Sequence, residues 1–447
     1  VTPSIPAASA APAGLETDKL PRRLGPWSTA AVTVGIMIGS GIFRVPAAAA
    51  AETGSARAML LAWVVGGVVA LSGALALAEV AALFPKAGGM YVYLREAFGP
   101  LTAFLFGWLY LVVVPTGAGA IALVFAEYLG RLVPLTPGGV RAVATAVIVL
   151  LAAAQYRSLR FGAAIQNLST IAKVAAILAL TGAAFLLGAP GGGAWGGDAS
   201  AHPTTWGGFG LAVVTVLWAY NGWQDVTCLS GEVRDPARAL PRAIVGGTLA
   251  VVAIYLGANA AYLRVLPLDA IAASPLVAAD VAVRLVGPVG SALVAALVCV
   301  STFGALNAVI MTIPRVFWAM ADDGLFFRTV AAVHPRYRTP HMAIVAMASL
   351  AVVYLFVRSF EQLIEAFILA SLPFWGLAVA SVFVLRRTRP DLPRVYRTPG
   401  YPVVPLLFVV AMTALVANSL REHPEATVTS VGAILAGVPI YYAWRRF

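Results

Sequence analysis

From Ser28 onward the chain runs through one apolar stretch after another, and the recurrence of runs of roughly 17 to 25 residues decides its surroundings. A helix of about 20 residues crosses about 30 Å of hydrocarbon, so each stretch is long enough to span a bilayer. We read about twelve transmembrane helices, over 28–49, 57–83, 100–129, 139–155, 162–188, 206–231, 241–264, 286–320, 341–357, 361–385, 402–419 and 427–444. With 60% hydrophobic and only 11% charged residues, the chain lacks the polar residues that a water-facing surface of this size requires. Barrel strands alternate polar and apolar side chains, and these stretches do not. The expectation is an all-α membrane protein.

Position explains the formal charge of +11, which might otherwise point to nucleic acid. Most of the 30 Lys and Arg residues fall on one side of the twelve-span arrangement, in runs such as Arg386, Arg387 and Arg389. Positive charge stays inside, so both termini are placed in the cytoplasm of a multi-pass protein of the cell membrane. Cys228 and Cys299 lie within apolar spans and read as small core residues. His202, His334, His341 and His423 are scattered without ligand spacing, so neither metal nor cofactor is expected. Residues 1–26 read as a disordered cytoplasmic tail, Ala/Pro-rich at its start and without the apolar core of a signal peptide.

Within this frame Val32 to Pro46, VTVGIMIGSGIFRVP, stands apart. Glycine costs about 1 kcal/mol per helical position relative to alanine, so Gly39-Ser40-Gly41 is where the first helix should come apart. Lipid cannot satisfy the backbone groups so freed, and the break must line a polar cavity. The N-terminal end of a half-helix there attracts an anion and freed carbonyls attract a cation, a pairing that suits a zwitterion. Arg44, three residues on, guards the outer vestibule, meets a substrate carboxylate or pairs locally.

A second break is expected in span 6. Trp218-Ala219-Tyr220-Asn221-Gly222-Trp223 sets a glycine and a turn-prone asparagine among aromatics, and Asp225 just after it either takes a proton or fixes the break. Breaks in spans 1 and 6, five spans apart, point to a five-plus-five inverted repeat: residues 27–188 form the first half, 206–385 the second, and 386–447 a linker with two extra C-terminal helices. Lys173, alone among apolar residues in span 5, costs roughly 3 kcal/mol at mid-membrane and must have a partner. Its ammonium is expected to stand where a sodium ion would otherwise sit, bracing the carbonyls of span 1 against Ser301 or Thr302 of span 8. Pro115 kinks span 3. Glu79 is assigned a structural or gating role in a charge cluster with Arg95 and Glu96.

Several of these segments together resemble the amino acid-polyamine-organocation superfamily and, within it, the L-type amino acid transporter group. They are IGSGIF at Ile38 to Phe43, FPKAGGMYVYLREAFG at Phe84 to Gly99, IQN to AK ending at Lys173, WAYNGWQ to GEVRDPARALPRAI at Trp218 to Ile244, STFGALN at Ser301 to Asn307, and TPGYP at Thr398 to Pro402. The resemblance implies a leucine-transporter-type fold and sodium-independent exchange or uptake of L-amino acids; with the paired breaks and Lys173, exchange of neutral ones is the leading expectation. It implies further that the N–H groups of Ser40, Gly41 and Ile42 hold the substrate carboxylate. The ammonium then falls to carbonyls of Met37, Trp218 and Asn221, with Ile38, Gly39 and Ala219 around the site and Trp218 as its lid. Asn221 departs from the family's glycine or serine. Animal members join a heavy subunit through a cysteine between spans 3 and 4; Arg131 to Arg141 holds none, so no disulfide-linked partner is expected.

Other functions fit less well. A membrane enzyme keeps His, Asp or Cys constellations within its spans, and an ion filter needs repeated rings of carbonyls or charges. The competing transport reading is a proton-coupled importer of amino acids or polyamines, working through Glu79, Asp225 or Lys173.

Overall fold

The computed structural model describes residues 20–188, 204–357, 360–422 and 424–445, so the first nineteen residues of the expected tail lie outside the described residues. Leu20 and Leu24, just ahead of the first helix, are already buried. The N–H groups of Arg23 and Leu24 both donate to the Glu232 carbonyl, at 2.8 and 2.9 Å.

Span 1 is divided into α1 (Pro26–Met37) and α2 (Gly41–Thr53), with Ile38, Gly39 and Ser40 outside both. α3 (Ala56–Leu83) crosses without interruption, and a short α4 (Met90–Phe98) follows where only a charged turn was expected. Span 3 is likewise two pieces, α5 (Pro100–Val112) and α6 (Val114–Leu132), parted at Val113. Pro115 is the cause, having no N–H to continue the ladder. α7 (Pro137–Arg157) and α8 (Leu159–Leu187) follow.

Next comes α9 (Trp206–Ala219), followed by a turn and a 3₁₀ segment, Asp225–Glu232. After α10 (Pro236–Val265) come two short helices, α11 (Leu268–Ala273) and α12 (Val277–Val286). They lie between the expected spans 7 and 8, in a stretch punctuated by Pro267, Pro275, Gly287 and Pro288 that reads as loop, and span 8 follows in two pieces, α13 (Val289–Thr312) and α14 (Pro314–Asp322). α15 (His341–Val357), α16 (Phe360–Thr388), α17 (Val403–Glu422), α18 (Pro424–Leu435) and α19 (Gly437–Trp444) finish the chain.

Eight of these segments are long and apolar enough to cross a membrane, which makes this a helical multi-pass membrane protein. Burial separates inner from outer helices: 67% of the most apolar stretch of α13 and α14 is buried, against 22% in α7 and in α8. The lipid-facing pair thus shields an inner group in which α2 packs on α9, and α13 on α1, α6 and α8. Both broken helices lie inside.

The charged end of the molecule is organised differently from the expected cluster. Glu79 does not join Arg95 but accepts from Arg386 Nε and Nη2 at 2.9 and 2.7 Å, from the Thr398 N–H and hydroxyl, and pairs with Arg394 at 3.3 Å. Arg95 turns instead to Asp323, which also accepts from the Tyr91 hydroxyl at 2.9 Å. Burial and that carboxylate hold the Tyr91 phenol above its ordinary value. These partners lie hundreds of residues apart, too far for local charge spacing to reveal. In the first turn of α2, Arg44 pairs with Glu127 of α6 at 3.1 Å.

Candidate functional site

The backbone groups released at the first interruption divide by polarity. On the carbonyl side, the fully buried Lys173 ammonium donates to Gly35 O and to Ile38 O at 2.6 Å each, and approaches Ser301 O at 3.5 Å. The Ser301 hydroxyl donates to Gly39 O at 3.1 Å and Ile38 O at 3.3 Å, and the Tyr255 hydroxyl to Met37 O at 2.7 Å. Thr302, expected as an alternative partner, bonds back to Val298 O in its own helix. A polar ladder extends the bracing: Gln155 donates to Asn307, Asn307 to Gln166, and the Thr170 hydroxyl to Ala31 O. The carbonyl side is therefore met by the protein's own donors.

The amide side is not. Ser40, Gly41 and Ile42 begin α2, where a helix offers its first N–H groups no acceptor of its own. Ser40 and Gly41 line a cavity of about 90 Å³ at the middle of the inner group, together with Ile36, Met37 and Gly39. Across it stand Trp218, Ala219 and Asn221, at the carbonyl-rich end of α9, and Asp225. The positive end of one half-helix and the negative end of another thus share one hollow. Ile38 and Ile42 are buried behind this wall, as are Lys173, Ser301 and Thr302, while Glu79 belongs to the charged end.

Two glycines make this closeness possible. Gly222 has φ +114, a left-handed backbone, and a Cβ there would sit 2.4 Å from Ile36 Cγ2, so the second break touches the first. Asn221 and Gln224 hold that turn: Gln224 Nε2 donates to Asn221 Oδ1 at 2.6 Å, and Gln224 Oε1 accepts from the Gly222 N–H at 3.3 Å. At Gly41 a Cβ would come within 2.8 Å of Ala219 Cα, whereas at Gly39 its nearest neighbour would be Ala305 Cβ, at 3.6 Å. We therefore expect Gly41→Ala to lower stability by about 1–3 kcal/mol, the usual cost of overpacking, and Gly39→Ala to cost less than about 1 kcal/mol. Thermal unfolding of the two variants in detergent checks this; equal shifts would show that α2 and α9 are not in contact there.

Sequence reasoning missed the third and fourth walls. Tyr110, Gly117 and Ile121 from the kinked α5–α6 pair face the cavity, as do Ala305, Val309 and Ile313 from α13. The Tyr110 hydroxyl donates to Asp225 Oδ1 at 3.4 Å. The run Gly117 to Ala120, small enough to leave room for a ligand, was the available signal for α6. No group of three or more His, Cys, Asp or Glu suited to a metal occurs among the described residues.

Interrupted membrane helices around a hollow with one cationic and one anionic backbone end define a carrier of small polar solutes, not an enzyme. Comparison with known proteins supplies the family: residues 24–443 match the family described as amino acid permease, and the chain belongs to it. It is 31% identical over 440 residues to the serine/threonine exchanger SteT of Bacillus subtilis, covering 96% of this chain and 98% of that one. Mouse b(0,+)-type amino acid transporter 1 is 32% identical over 444 residues, 96% of this chain and 89% of its own. Mouse large neutral amino acids transporter small subunit 2 is 31% identical over 435 residues, with coverage of 95% and 81%. The protein is an amino acid transporter of the membrane.

Proposed function

We propose that this protein exchanges small L-amino acids, neutral ones in the first instance, across the cell membrane by alternating access and without sodium. The observation that carries the reading is the Lys173 ammonium held between Gly35 O and Ile38 O, where a loose cation would otherwise be needed to satisfy the broken helix. The substrate carboxylate is assigned to the N–H groups of Ser40, Gly41 and Ile42, and its ammonium to carbonyls at the end of α9. Met37 O already accepts from Tyr255 and from the Gly39 N–H, and Trp218 O from the Asn221 N–H at 3.1 Å. Trp218, half-buried at the cavity edge, serves as the lid. Residues 27–188 and 206–385 are the two halves that rock against each other, with both termini in the cytoplasm.

Size favours small substrates. Its volume of about 90 Å³ exceeds several-fold the roughly 10–15 Å³ that admits one water, which leaves room for a small solute. Proteoliposomes loaded with unlabelled serine should accumulate labelled serine by counterflow, equally in sodium and choline media. Uptake that needs sodium, or that ignores the internal pool, overturns this reading. The second reading, a proton-coupled importer, is favoured by the place of Asp225 on the cavity wall, and an imposed pH gradient that drives net uptake would support it.

A further inference from the structure

Asp225 makes no ion pair among the described residues. It lines the cavity, is 7% exposed, and its side-chain hydrogen-bond partners are both neutral, the Tyr110 hydroxyl at 3.4 Å and the adjoining Gln224. A buried carboxylate without a cation is costly, and in practice it finds one or takes up a proton. The charged and titratable groups on the elements around it are otherwise engaged. Arg315 of α14 is consumed by Glu232, Lys173 of α8 by the carbonyls of α1, and Tyr255 of α10 by Met37 O. Tyr93 of α4 and Cys228, on Asp225's own segment, bring no positive charge.

We propose that Asp225 and Tyr110 form a side-chain subsite that must receive one positive charge when the cavity is loaded. A small neutral amino acid brings it as a proton taken from the medium onto Asp225. A short L-diamino acid, of diaminobutyrate or ornithine length, brings its own side-chain ammonium and needs no proton. The two loaded states then carry the same charge. This deepens the proposed function and rests on the cavity being the amino acid site.

Sign follows from the chemistry. Raising the pH removes the proton from Asp225, so a neutral ligand binds more weakly while an ammonium-bearing one gains a full counter-charge. Homoserine and diaminobutyrate have the same shape and differ in a terminal hydroxyl against a terminal ammonium, which makes them the probes. Purified full-length protein is titrated with each, and with alanine, between about pH 5 and about pH 8, above the ordinary carboxyl value. The ratio of homoserine to diaminobutyrate Kd should rise by about tenfold or more, equivalent to at least one unit of differential protonation. A ratio that stays flat overturns the proposal, while binding of none of the three removes the amino acid reading and this one with it. Asp225→Asn should flatten the ratio, and a ratio still rising in that variant assigns the charge to another group. Should Asp225→Asn fail to fold, Tyr110→Phe takes its place: losing the donor should move the midpoint of the rise to higher pH, and an unmoved midpoint counts against the subsite.

Discussion

Lys173→Ala is expected to reduce counterflow to below about a tenth of the parental rate per inserted molecule, with a much smaller loss of folded yield. The ammonium is the donor on Gly35 O and shares Ile38 O with Ser301. Removing it leaves those acceptors short of a partner at about 1–3 kcal/mol apiece. Folding as a whole can absorb part of that, because the fault lies at one interruption and not through a core. The balance between inward- and outward-facing states cannot, since about 5.5 kcal/mol moves such an equilibrium from 1:99 to 99:1. Counterflow in proteoliposomes, normalised to the protein recovered, measures the effect. A variant that inserts and exchanges at the parental rate would remove the bracing role from Lys173.

That prediction was available before any coordinates, and the reason is physical. A lone ammonium at mid-membrane and a glycine pair in an apolar helix each break a strict rule of the bilayer, so each announces itself and each supplies what the other lacks. The second break was legible for the same reason, through Asn221 and Gly222. What the sequence could not show was which side chains of unbroken helices turn toward the hollow. Tyr110 reaches Asp225 across 115 positions only because α5 and α6 part at Val113, and the phase of a helix after a kink is set by packing. The partners of Glu79 were hidden alike: Arg386 and Thr398 follow it by 307 and 319 positions, whereas the closer Arg95 and Glu96 look more natural on paper. Thr302 failed as a partner for Lys173 because a threonine within a helix can satisfy itself on the preceding turn.

The Arg315–Glu232 pair carries the second large effect. Both side chains are essentially enclosed, at 1% and 2% exposure, and the guanidinium meets both carboxylate oxygens, at 2.8 and 3.0 Å from Nη2. Three segments converge on it: α14, which bears Arg315; the 3₁₀ segment that starts at Asp225 and ends at Glu232; and the chain before α1, whose Arg23 and Leu24 amides end on Glu232 O. Removing one partner strands an enclosed charge, which typically costs 3–5 kcal/mol, so Arg315→Ala and Glu232→Ala are each expected to cost that much and to lose most of the folded yield. Replacing both at once, Arg315→Met with Glu232→Leu, removes the stranded charge and should recover most of the loss, because an enclosed ion pair is worth little against well-packed apolar groups. Apparent melting temperature and monodisperse yield after extraction read the cycle. A double variant as damaged as the sum of the singles would mean that the pair's hydrogen bonds, and not the avoidance of a lone charge, hold α14 against the second interruption.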